Sequence, residues 1–148
     1  MTRAVALLLL AAAGLPAAPV PKALKKEPTL NGVWEATTLR SSGSDFLNQN
    51  NLWVWEFDGE SVSRRYRQKD GTLRPDGQAT ITRPDAAKPS EVDYHLPSGN
   101  QSMLFRARIE VTADELVINF AEANDPRPPD MTELKRGYFY RFKRVEAK

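Results

Sequence analysis

From residue 30 to residue 145 apolar and polar residues alternate in short runs, each broken by Gly, Pro, Asp or Asn. A period of two belongs to a strand with one buried face, whereas an amphipathic helix needs apolar residues three and four apart. The pattern is sharpest in NLWVWEFDGESVSRRYR, residues 51–67. Asp-Gly between two alternating runs is the strongest short-range hairpin signal. Placing Asp58 and Gly59 at the turn centre sets Phe57 against Glu60, Trp55 against Val62, Trp53 against Arg64 and Asn51 against Tyr66. Because side chains alternate across a sheet, Trp53, Trp55, Phe57, Val62 and Tyr66 then share one face with Arg64. Ser61, Ser63, Arg65 and Arg67 take the other face.

The same reading predicts strands over 30–40, 78–83, 91–96, 102–111, 116–120 and 137–145, with 41–51 as a polar loop. KDGTLRPDGQ (69–78) contains two further Asp-Gly turn signals. In 102–111, Met103, Phe105, Ala107, Ile109 and Val111 point one way, and Leu104, Arg106, Arg108 and Glu110 the other. EANDPRPPDM (122–131) is a proline-rich loop, and 130–136 has room for a helical turn or two. About eight short strands at near-even spacing indicate a sandwich or an up-and-down barrel. Mostly short connections favour pairing of sequence neighbours, and closing the sheet removes exposed edges. The expected fold is all-β: an antiparallel up-and-down meander of about eight strands, forming a barrel or a strongly curled sheet.

The start of the chain has a different character. MTRAVALLLLAAAGLPAAP combines a charged start at Arg3, an apolar run and then small residues, the layout of a secretory signal peptide. The run is about 12–15 residues, short of the roughly 20 needed to cross a bilayer. Residues 1–18 are therefore expected to be removed, 19–29 to form a basic linker, and 30–146 to fold as one domain. The product is expected to be exported, periplasmic or secreted, with no transmembrane segment after cleavage. The 148-residue chain has no cysteine, so disulfides and thiol chemistry are excluded and stability must come from the core. A formal net charge of +2 gives no reason to expect a nucleic-acid partner.

Several ordered motifs resemble a small domain family abundant in planctomycete bacteria. LNGVW (30–34) resembles its L-x-G-x-W opening, FDGESV (57–62) its F-D-G-D-x-[LV] hairpin, and RPDAAKPSEVDY (83–94) its L-D-P-x-x-x-P-K-x-I-D-L segment. TADELVINFAEANDPRPPDM (112–131) resembles its strand followed by an Arg-Pro loop, and FKRV (142–145) its L-K-R-x end. Asn119 stands where that family often has Cys, and Pro129 and Met131 where it has Thr and Phe. The resemblance implies export and a lipocalin-like barrel, and it brings no established activity. Gly32-Val33-Trp34 also resembles the Gly-x-Trp of lipocalin first strands, where the indole closes one barrel end against a late-strand arginine. Gly32 and Trp34 would then be structural, with Arg141 or Arg144 as the counterpart through a cation–π contact.

Few residues offer chemistry. His95 is the single histidine, so no zinc site of ordinary composition can be assembled. It alternates with Val92, Tyr94 and Leu96 onto the polar side with Asp93, and no nucleophile motif accompanies it. Glu110, Asp114 and Glu115, like Asp58 and Glu60, sit at turn tips, where acidic residues serve turn chemistry. The arginines at 65, 67, 106, 108 and 141, with Lys143, fall on outward faces as charged cover. Catalytic, metal-binding and cofactor-binding residues are therefore all expected to be none.

The aromatic residues remain. An eight-stranded barrel is either filled by side chains or just able to hold one small ligand. Arg64 beside the indoles is a charge facing the apolar side, and such a charge needs a partner: Glu60, a ring, or an anion. The expected function is non-catalytic binding of a small apolar or amphipathic molecule, or of an envelope component, by Trp53, Trp55, Tyr66 and Tyr140 with Arg64 as polar anchor. The alternative is a solid structural or protein-interaction module with an envelope protein partner; a hydrolase or isomerase ranks third. A cavity below about 300 Å³ would favour the solid module.

Overall fold

The computed structural model describes residues 28–47, 51–133 and 135–146. The expected signal peptide and nearly all of the linker lie outside these residues. Nine strands follow in chain order: β1 (Gly32–Ser41), β2 (Ser44–Asp45), β3 (Asn51–Asp58), β4 (Ser61–Gln68), β5 (Leu73–Thr82), β6 (Glu91–Ser98), β7 (Gln101–Val111), β8 (Glu115–Phe120) and β9 (Tyr138–Val145). From β3 to β9 each strand pairs antiparallel with the next, and β1 pairs with β3 on one edge and β9 on the other. The meander thus closes on itself as an up-and-down, barrel-like ring, and the two-residue β2 extends the far end of β1. No described residue is helical, and the described part of 130–136, where a helical turn or two had room to form, is irregular.

The β3–β4 hairpin keeps the predicted faces and changes the predicted register. Asp58 pairs with Ser61, Phe57 with Val62, Trp55 with Arg64 and Trp53 with Tyr66. The two turn residues are therefore Gly59 and Glu60, one step later than the Asp58-Gly59 centre. The reason is conformational: only Gly59 has a positive φ, +59°, and a hairpin turn with glycine at its first central position is type II′. The partners slide by two residues, which preserves every side-chain direction in a structure of period two.

The last Asp-Gly pair is not a turn. β5 begins at Leu73, five residues earlier than expected, and runs straight through Asp76-Gly77. Gly77 pairs with Arg64 while Pro75 pairs with Arg65, so Asp76 is the extra residue of a bulge. A second irregularity in β1, between Ala36 and Thr38 against β9, has the Thr37 hydroxyl donating to the Arg141 carbonyl at 3.2 Å. Bulges bend a strand and increase its twist, which a sheet needs in order to close.

The inward faces build the core. Trp34, Phe57, Val62, Val92, Leu116, Ile118 and Phe142 are essentially fully buried. At their centre Trp55 stacks on Tyr94, with centroids 5.6 Å apart and planes at 12°. It also meets Tyr140 and Phe142, both at 5.2 Å.

Outside the ring, the connection from β8 to β9 is folded flat. Asn119 is fully buried on the outer face of β8, and its amide donates to the carbonyls of Asp130 (3.2 Å) and Thr132 (2.7 Å). Arg108 donates to the Pro128 carbonyl at 2.7 Å. Arg127 returns from the loop to the Ala107 carbonyl at 2.6 Å, to the Val92 carbonyl and to the Asp93 carboxylate. The proline-rich stretch is clamped to the barrel wall rather than held out as a free polyproline segment.

Candidate functional site

The two ends of the ring differ. At one end Trp34 donates its indole N–H to the Leu30 carbonyl at 2.8 Å, and the Arg144 guanidinium covers its ring at 4.1 Å. Arg144 donates to the carbonyls of Ala113 (2.7 Å), Asn31 (2.9 Å) and Thr29. Gly32 is needed here: a Cβ on it would lie 2.6 Å from Arg144 Nη1, and its φ of +130° is unfavourable for any other residue. Of the two arginines considered for this role, Arg144 fills it. Arg141 points outward on β9 and pairs with Glu115 at 3.0 Å. The local bulge and the alternation along β9 put 142 and 144 inside and 141 and 143 outside.

The other end holds a cavity of about 240 Å³. Its aromatic wall comes from Trp55 of β3, Tyr94 of β6, Phe105 of β7, Phe120 of β8 and Tyr138 and Tyr140 of β9. Leu96 and Met103 lie toward the strand ends, and Arg64 of β4 is the one charged residue in the lining. Met103 is exposed, as are Phe46 and Leu73. Of the five residues expected to bind a ligand, Trp55, Arg64 and Tyr140 line this cavity. Trp53 and Tyr66 are outside its lining and pack edge-on against each other at 6.3 Å.

Arg64 does point inward, and its partner is the bulged Asp76 at 2.9 Å rather than Glu60. Gly77 beside it has a φ of +144°, which residues with a side chain rarely adopt. Asp76 takes up only part of the guanidinium, and Arg64 Nε has no hydrogen-bond partner among the described residues. Neither do Trp55 Nε1 and Tyr94 Oη, although all three are shielded from solvent. A buried polar atom left unpaired costs about 1–3 kcal/mol. Of the five such atoms among the described residues, these three belong to residues that line the cavity, while Arg65 Nε and Asn119 Oδ1 lie elsewhere.

Burial pushes the Tyr94 phenol up to about 12, and the neighbouring Arg64 guanidinium opposes the shift. Burial, reinforced by Tyr94, also raises the Tyr140 phenol above its ordinary range. At neutral pH the wall therefore presents neutral phenols and one cation.

Other residues that could carry chemistry lie elsewhere. His95 is on the outer side of β6, its Nε2 3.5 Å from the Thr82 hydroxyl, and Asp93 is engaged by Arg127. Among the described residues no three His, Cys, Asp or Glu side chains gather where they could hold a metal ion. The outward cations are largely matched by carboxylates: Arg65 by Glu56, Arg67 and Lys143 by Glu35, and Arg108 by Glu91.

Fold and site together define an antiparallel up-and-down β-barrel, closed at one end by Trp34 and Arg144 and carrying a small aromatic cavity at the other. No protein-family model matches the chain, and no curated protein matches it.

Proposed function

We propose that this is an exported, non-catalytic, lipocalin-like domain that binds a small apolar or amphipathic molecule in the aromatic cavity. Trp55, Tyr94 and Tyr140 supply flat apolar walls, and Arg64 the polar anchor. The observation that carries the reading is the group of three unpartnered polar atoms, on Trp55, Arg64 and Tyr94, around a single cavity. A wall built only for packing has no use for them, because apolar residues of the same shape would avoid the cost. The Gly32-Val33-Trp34 motif with its Arg144 cover supports the lipocalin-like reading, and the composition of residues 1–18 supports export.

The cavity volume supports the second reading, a solid interaction module with an envelope protein partner. At about 240 Å³ it lies under the roughly 300 Å³ at which ligand pockets usually begin. Native mass spectrometry of the protein recovered from the exporting compartment separates the two. Binding predicts a small molecule retained in stoichiometric amount and lost in Trp55→Ala. A bare protein whose tryptophan emission ignores a panel of ring compounds would leave the solid module standing.

A further inference from the structure

Building on that reading, we infer that the cavity is shaped for a compact ring-bearing acid, whose carboxylate engages Arg64 alongside or in place of Asp76. Three observations lead there. The first is the sign and kind of the unmet demand. Trp55 Nε1 and Arg64 Nε can only donate, and the Tyr94 hydroxyl can donate as well as accept. A carboxylate is acceptor-only, with two oxygens and about four lone-pair sites, so one such group can serve several of these donors. A cationic or donor-only ligand would leave both nitrogens as they are and add repulsion from Arg64.

The second is size and shape. A cavity of about 150 Å³ suffices for benzene in an engineered apolar core. The 240 Å³ available here has room for one ring and a short acidic substituent, and not for a long acyl chain. Trp55, Tyr94 and Tyr140 offer faces and edges for a flat ring at ordinary aromatic spacings.

The third is the construction of the ion pair. Asp76 is the inserted residue of a bulge, and its side chain is a quarter exposed, against 17% for Arg64. The cation is the deeper member, and its partner reaches in from a strand irregularity of the kind that re-aims side chains near binding sites. Asp76 thus acts as an internal placeholder that keeps the guanidinium compensated and can share it with an incoming carboxylate. All three donors are screened by neighbouring rings, so engagement requires small rotations in the aromatic wall.

The test titrates the intact protein with benzoate, toluene and benzylammonium, read by saturation-transfer NMR and by tryptophan emission. Benzoate should bind at least about tenfold more tightly than either other probe, the scale of one charge-assisted hydrogen-bonded contact. Asp76→Asn, which removes the competing carboxylate, should strengthen benzoate binding several-fold and leave toluene unchanged. Arg64→Met should abolish the preference for benzoate while toluene still binds. Should Arg64→Met not fold, Arg64→Lys must retain the order benzoate over toluene with a reduced margin. Equal binding of toluene and benzoate, or preference for benzylammonium, overturns the acid and leaves the cavity reading intact. Binding of none of the three overturns both.

Discussion

Arg64 shows how one residue ties the fold to the cavity. Alternation along β4 turns it inward beside Trp55, and the resulting buried charge is met by Asp76. Near it, Tyr94 is one of two phenols, with Tyr140, whose protonation bears on stability. Its folded pKa of about 12 is raised from 10.0 chiefly by burial, so the folded state holds this proton more tightly than the unfolded chain. The stabilisation is complete below pH 10 and is lost as the pH climbs from about 10 to about 12. The buried Tyr140 phenol acts in the same direction. Unfolding free energy should therefore fall by up to about 1.4 kcal/mol per pH unit for each such phenol. Urea melts at stepped alkaline pH measure this, and Tyr94→Phe should flatten the slope. A stability flat from pH 9 to 12 would contradict the buried placement.

At the scale of elements, irregularities decide as much as regular strands. The bulge at Asp76 lets β5 continue where a turn was signalled, and supplies the partner of Arg64. The connection over 121–137 is held by Asn119, Arg108 and Arg127, whose bonds run to backbone carbonyls. Arg127→Ala removes several of these bonds together and leaves the Asp93 carboxylate without its cation. The expected result is a loss of about 1–3 kcal/mol and, at limiting protease, early cleavage within 121–137 while the strands stay intact. Unchanged proteolysis would mean the loop is held by its prolines, Asn119 and Arg108 without Arg127. Because β8 and β9 both line the cavity, a loosened loop should also weaken the binding proposed there.

Across the whole molecule, closure by β1 with β9 leaves one end capped by Trp34 and Arg144 and the other hollow. The three tryptophans sample that gradient. Trp34 is 0% exposed and Trp55 2%, while Trp53 is only partly buried at the edge of the core. Acrylamide should therefore quench one class of emission strongly and leave the rest protected, and Trp53→Phe should remove the quenchable class. Uniform quenching of all three would mean that the ring is open in solution.

Much of this was legible beforehand. The all-β meander, the inward faces of β3, β4 and β7, and the inward turn of Arg64 follow from period two and hairpin signals. Local alternation encodes which side of a sheet a residue faces, whatever its neighbours prove to be. The sequence alone therefore determined the side of each side chain and the succession of strands. Tertiary structure alone decided that Asp76 neutralises Arg64, and that Trp53 and Tyr66 fall outside the cavity. Each of these depends on register, bulges and ring closure, which arise from contacts between residues far apart in the chain and leave no periodic trace within it.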